Sequence, residues 1–163
     1  MTTAICPGSF DPITLGHLNI ILRASQIFDR VIVCIMYNST KTSPMFTIDE
    51  RVSMVKRAVA PYPNVEVDSS QGLLAEYARG IDGAVIVKGL RAASDFEYEF
   101  QMNLINKKIN PELETMFLTA DGQYTFLSSS VVREMAYYNG DLTGLVPDEI
   151  IPDIREKAKQ WRK

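Results

Sequence analysis

Pro7-Gly8-Ser9-Phe10-Asp11-Pro12-Ile13-Thr14-Leu15-Gly16-His17 joins two stretches of opposite periodicity. Before it, residues 3–6 form a short apolar run of strand type. After it, Leu18, Ile21, Leu22, Ser25 and Phe28 follow i, i+3, i+4 spacing, which predicts a helix over 18–28. A strand that turns through glycine and prolines directly into a helix is the first half of a βαβ unit. The alternation continues outward, with further strands predicted at 30–36, 65–67, 84–87 and 115–118. Thr47-Ile48-Asp49-Glu50 is a capping box, opening a helix through Val52, Val55 and Val59 that stops before Pro61. A helix over 73–79 closes on Gly80. Ser94-Asp95-Phe96-Glu97 reads as a second capping box, heading a long helix toward Asn110-Pro111. Ser128 heads a helix that ends at Asn139-Gly140, and 147–163 reads as a final amphipathic helix. Short strands without polar alternation suit a parallel sheet covered on both faces. The expectation is one α/β domain over residues 1–163, with a parallel five-stranded sheet and helices on both sides. Such sheets bind ligands beyond the carboxyl ends of their strands, so the loops after strands are where chemistry is sought.

Composition narrows the class. With 46% hydrophobic and 23% charged residues in 163, the chain is globular rather than disordered. Seventeen Lys+Arg against 20 Asp+Glu leaves a net charge of −3, which argues against a nucleic-acid coat protein. Phosphate ligands stay open, because a few cations serve one pocket. His17 is the single histidine and there is no Cys-x-x-Cys, so a tetrahedral zinc site is not expected. Cys6 and Cys34 sit inside apolar runs and read as buried thiols. Met1-Thr2-Thr3 opens no signal-peptide pattern, and no apolar stretch reaches membrane-spanning length; a soluble, cytoplasmic protein is expected.

Three post-strand loops are unusual. In the first, Gly8 permits close approach to a ligand, and Thr14 and His17 share a face at a helix start. Gly16 leaves room where a bulky group can lie. A helix N-terminus there favours an anion, although a lone first-turn histidine is most often a surface or capping residue. The second loop, Lys88-Gly89-Leu90-Arg91, sets two cations around a glycine just past the most apolar strand. That suits phosphate, and it also suits a solvated turn. The third, Tyr124-Thr125-Phe126-Leu127-Ser128-Ser129-Ser130, brings more hydroxyls than one N-cap needs, with Arg133 a turn later. It reads as a phosphate cradle or a redundant cap.

The first loop resembles the T/H-x-G-H signature of the nucleotidylyltransferase superfamily, and its longer P-G-S-F-D-P-I-T-x-G-H string is similar to the phosphopantetheine adenylyltransferase family. The same family is matched by Lys88-Gly89-Leu90-Arg91 with Asp95-Phe96-Glu97-Tyr98-Glu99, and by the serine triplet. Lys88 stands where the family usually has Arg, Tyr124 where Trp is common and Leu127 where Ile is common. The loop Ser39-Thr40-Lys41-Thr42-Ser43-Pro44-Met45-Phe46 has one lysine where the family shows adjacent lysines. The resemblance covers essentially the whole chain and implies a Rossmann-like fold.

It also implies transfer of the adenylyl group of ATP to 4'-phosphopantetheine, giving dephospho-CoA and pyrophosphate, the penultimate step of coenzyme A synthesis. Implied catalytic residues are His17, Lys41 and Arg91. ATP would meet Ser9, Phe10, His17, Gly89, Leu90, Arg91, Glu99, Tyr124, Thr125, Phe126, Leu127, Ser128, Ser129 and Ser130. Phosphopantetheine would meet Ser9, Lys41, Leu73, Leu74, Lys88, Tyr98, Met102 and Asn106. Read without the family, Glu99 is a solvated helix residue, and Leu73 and Leu74 are core. Mg²⁺ would come with the nucleotide, held mainly by phosphates and water with no protein ligand. The family is typically a homohexamer, with coenzyme A as a product-type inhibitor and no nucleic-acid or membrane partner. Two alternatives stay open: a small nucleotidylyltransferase with another acceptor, such as nicotinate mononucleotide, and a non-catalytic nucleotide-binding regulator.

Overall fold

A computed structural model describes residues 1–37 and 43–161. Its centre is a five-stranded, all-parallel sheet in the order β3-β2-β1-β4-β5. The strands are β1 (Thr3–Gly8), β2 (Arg30–Met36), β3 (Val65–Ser70), β4 (Ala84–Leu90) and β5 (Glu114–Thr119). The helices between and after them are α1 (Leu15–Ile27), α2 (Ile48–Val59), α3 (Leu74–Arg79), α4 (Ala93–Ile109), α5 (Ser129–Tyr137) and α6 (Ile151–Trp161). This is the expected α/β architecture. Ile5 pairs with Ile32 on one side and Ile86 on the other, so β1 is the sheet's middle.

Alternation along the strands feeds two cores. Ala4 and Cys6, with Val31, Val33 and Ile35, face a cluster built with α1, α2, α5 and α6. Ile5, Cys34 and Ile86 face the other way, against Ala75 and Ala78 of α3. Helices therefore cover both faces, which is why the strands read as near-continuous apolar runs. Most strands extend beyond those runs, since ladder hydrogen bonds need no apolar side chain: Met36 still pairs with Ser70.

The Thr47/Glu50 capping box forms as expected, in both directions. Several ends differ. Helix α1 begins at Leu15 rather than 18, with Thr14 as its N-cap. The expected box at Ser94 is absent: α4 starts earlier, behind Ala92, with no side-chain cap. The Asp95 carboxylate instead accepts the Arg91 backbone N–H at 3.0 Å. Helix α5 stops at Tyr137, and Asn139 takes the left-handed position, φ 60°, just past the cap. The Gly140 and Asn139 N–H groups then close on Met135 and Ala136 carbonyls, a Schellman ending that satisfies orphan acceptors. The last segment is a 3-10 turn, Asp148–Ile150, running into α6.

Candidate active site

At the carboxyl ends of β1 and β4, where the connections diverge to opposite sides, a cleft of about 250 Å³ opens. Its walls come from all three loops: Phe10, Thr14, Gly16 and His17; Lys88, Gly89 and Arg91 with Glu99 of α4; and Leu127, Ser128 and Ser129. Ile20 and Val87 form an apolar floor.

His17 is both a capping residue and a cleft residue. The Thr14 backbone N–H donates to His17 Nδ1 at 3.1 Å, and the His17 N–H donates to Thr14 Oγ1 at 3.2 Å. An Nδ1 that accepts from a backbone N–H leaves the proton of the neutral ring on Nε2. The Phe10 ring meets the imidazole edge-on, with centroids 5.1 Å apart. Phe10 itself is buried, with φ 45°. Gly16 lines the cleft, and a Cβ there would make ordinary contacts with Thr14 Oγ1 and Tyr124 Cβ at 3.5 Å and with Leu127 Cδ2 at 3.9 Å.

Gly89 is required for a different reason. A Cβ there would sit 2.8 Å from Ile20 Cγ1, so its absence lets α1 pack directly on the end of β4. The flanking cations are engaged with acids. Lys88 Nζ lies 2.5 Å from Glu99 Oε2. Arg91 meets Asp95 through Nε at 3.2 Å and reaches across to the Leu127 carbonyl through Nη1 at 3.0 Å. Burial pushes the Asp95 carboxyl up, but the Arg91 side chain and backbone N–H outweigh it and hold it below the ordinary 3.8.

Each serine of the triplet does separate work. Ser128 is the N-cap of α5 and accepts from the Val131 N–H at 3.2 Å. Ser129 Oγ donates to the Pro12 carbonyl at 2.8 Å. Ser130 Oγ accepts from Arg133 Nη2 at 3.1 Å.

Of the residues implied by resemblance, the cleft thus gathers Phe10, His17, Lys88, Gly89, Arg91, Glu99, Leu127, Ser128 and Ser129. Ser9, Leu90, Tyr124, Thr125, Phe126 and Ser130 lie on the same loops without lining it. It does not gather Leu73, exposed at the start of α3, or Leu74, packed on the second core. Nor does it gather Tyr98, exposed on α4, or the half-buried Met102 and Asn106. On α4 the residue turned into the cleft is Glu99, one position past Tyr98. Lys41 lies outside the described residues.

One buried group behind the site has little local signature in the sequence. Asp11, 2% exposed, accepts the Met45 and Phe46 N–H groups at 2.9 Å each. Arg51, 4% exposed, lies 3.9 Å from it and donates to the Ser9 and Phe46 carbonyls. The only local signal was an Arg in the otherwise apolar core-facing pattern of α2.

The cytidylyltransferase-like family model matches residues 5–135. The phosphopantetheine adenylyltransferase of Clostridium tetani is 54% identical over 97% of this chain and 98% of its own. That of Alkaliphilus metalliredigens is 52% identical over 97% and 100%, and that of Dictyoglomus turgidum 50% over 98% and 99%. Among solved structures, one described as a putative nicotinate-nucleotide adenylyltransferase from Vibrio parahaemolyticus superposes with a TM-score of 0.69 at 18% identity. It covers 100% of this chain and 97% of that one, a likeness of fold.

Proposed function

The chain belongs to the cytidylyltransferase-like family and, within it, to the phosphopantetheine adenylyltransferases, and from that premise we propose how its cleft transfers the adenylyl group of ATP to 4'-phosphopantetheine. The products are dephospho-CoA and pyrophosphate, in the penultimate step of coenzyme A synthesis. The observation that carries the reading is the His17 imidazole, held at Nδ1 by the Thr14 N–H, in a cleft shared with Lys88, Arg91 and the start of α5.

An oxygen of the acceptor phosphate attacks the α-phosphorus, and the bond from that phosphorus to the β-bridging oxygen breaks. The nucleophile is already ionised, so no general base is needed. Catalysis then rests on positioning and charge stabilisation. His17 Nε2–H donates to the α-phosphate oxygens as charge moves toward the leaving pyrophosphate. Ser9 and Lys41, with Lys88, hold the attacking phosphate, and Arg91 with Ser128, Ser129 and Ser130 holds the β- and γ-phosphates. Phe10, Gly89, Leu90, Glu99, Tyr124, Thr125, Phe126 and Leu127 surround the nucleotide. Leu73, Leu74, Tyr98, Met102 and Asn106 follow the pantetheine arm. One charge pair at 4 Å is worth ~4 kcal/mol at an effective dielectric of 20, so several offset the repulsion between two anionic substrates.

Mg²⁺ bound with the nucleotide would supply neutralisation of phosphate charge. The cleft is dominated by N–H, hydroxyl and cationic donors, and its one carboxylate among the described residues, Glu99, is engaged by Lys88, so phosphate oxygens and water would serve as the ligands.

The reading extends to a homo-oligomer, a hexamer by family. Phe96, Phe100, Leu104 and Ile105 of α4 and Met116 of the edge strand β5 are large exposed apolar residues, a surface suited to a second copy. No helix among the described residues is long and apolar enough to cross a membrane. A cytoplasmic location and inhibition by coenzyme A complete the proposal.

Pyrophosphate release from ATP, measured with phosphopantetheine, with nicotinate mononucleotide and with no acceptor, tests the assignment. Release only with a different acceptor would sink it. No release with any would favour a nucleotide-binding regulator.

A further inference from the structure

Phe10 is a non-glycine residue at φ 45°, a backbone conformation that surrounding contacts must hold. The carbonyls on its two sides are each gripped by an arginine. Arg51 Nη1 donates to the Ser9 carbonyl at 3.1 Å. Arg133 Nη1 donates to the Asp11 carbonyl at 2.7 Å. The two guanidinium groups also flank the Asp11 carboxylate, at 3.9 and 3.8 Å. Arg51 belongs to the buried core of α2, whereas Arg133 belongs to α5, whose first turn it joins through Ser130 Oγ at 3.1 Å. Ser129 adds a second grip by donating to the next carbonyl, Pro12, at 2.8 Å. The Phe10 ring, at the far end of this chain of contacts, stands edge-on to His17 at 5.1 Å.

We propose that Arg133 is a positioning residue for His17: it fixes the Asp11 carbonyl, hence the Phe10 backbone and ring, and so sets the imidazole relative to the start of α5. The role rests on the reaction assigned above only for its catalytic consequence. Its Nη1 meets the Asp11 carbonyl and its Nη2 meets Ser130 Oγ, so Arg133 ties the loop after β1 to the first turn of α5. Geometry of this kind matters because in-line transfer tolerates little displacement of the groups around the reacting phosphorus.

His17 is the single histidine of the chain, so its ring nitrogens give unique resonances. Long-range ¹⁵N–¹H spectra of the wild type, Arg133→Met and Arg133→Lys read its tautomer directly. The wild type is expected in the Nε2–H form. In Arg133→Met, with cooperative unfolding retained, the ring nitrogens move toward tautomer averaging. Turnover falls on the order of 10- to 100-fold, while the KM for ATP stays within about threefold, as a non-contacting role requires. Arg133→Lys, which keeps one donor to the carbonyl, lies between, and it decides the matter if the methionine variant does not fold. Unchanged His17 resonances in a folded variant overturn the proposal. So does a raised KM for ATP at unchanged turnover, which would make Arg133 a phosphate ligand. A wild type that releases no pyrophosphate would remove the assigned reaction and leave the resonances to decide on Arg133.

Discussion

The backbone N–H of Thr14 donates to Nδ1 of His17 at 3.1 Å while the N–H of His17 donates back to Thr14 Oγ1 at 3.2 Å. The cap seen in the structure and the catalytic role proposed for this histidine are therefore compatible in one arrangement. The cap aims the ring and selects the tautomer that offers a donor at Nε2. His17→Ala is expected to lower turnover by about 10²–10³-fold, the usual effect of removing one transition-state donor. ATP affinity should stay within a few-fold. Thr14→Ala costs about 1 kcal/mol as a lost N-cap and lowers turnover by loosening the ring, whereas Thr14→Ser restores both. Single-turnover measurements showing unchanged chemistry in His17→Ala would end the electrostatic role.

Gly89→Ala places a methyl 2.8 Å from Ile20 Cγ1, with Ile20 nearly buried. Overpacking of this kind costs about 1–3 kcal/mol. It also pushes on α1, the helix that carries His17. In an Ile20→Ala background the same substitution should cost less than about 0.5 kcal/mol, because the clash is then gone. Urea unfolding of the four proteins in this cycle checks it; equal costs in both backgrounds would refute the contact.

Cys6 and Cys34 are free and buried. Burial pushes the Cys6 thiol up to about 12, and burial followed by the nearby Asp68 charge pushes Cys34 up to about 11. Their thiolate fractions at pH 8 are therefore roughly 10⁻⁴ and 10⁻³. A thiol-specific disulfide reagent at pH 8 should label neither residue in the native protein and both in denaturant. Rapid native labelling would show that one of them is accessible.

The Arg91–Asp95 grip has a defined pH window. A carboxylate whose folded pKa lies below its ordinary 3.8 stabilises the fold above that value and loses the contribution as pH falls through the folded one. Asp95→Asn should thus be less stable than the wild type at pH 7 by under about 1 kcal/mol, since the pair is partly solvated. The gap should close below pH 3.8. Denaturant midpoints at pH 7 and pH 3 measure it, and a gap that widens in acid would contradict the arrangement.

The apolar surface of α4 gives a prediction about assembly. Phe100 is 45% exposed and Leu104 54%, on a helix with no buried residue. Phe100→Glu is expected to shift the sedimentation profile toward smaller species without unfolding the chain. An unchanged profile would mean that copies meet elsewhere.

The sequence by itself determined the five strands, their alternation with helices and the three loops that line the cleft. These features are written locally: in apolar periodicity, in Thr47 and Glu50 three residues apart, and in glycines and prolines at the turns. The local code misled at Ser94, because α4 begins at Ala93 and places Ser94 inside the helix, while Asp95 turns back to the Arg91 N–H. Only the tertiary structure decided what each polar group at the site does. Ser129 reaches Pro12, Arg91 reaches Leu127, and Arg133 reaches Asp11 across 122 positions of sequence. Residues that far apart in the chain leave no shared periodicity. Their partners are chosen by the direction in which a parallel sheet aims its carboxyl ends and by the need of buried carbonyls and carboxylates for donors.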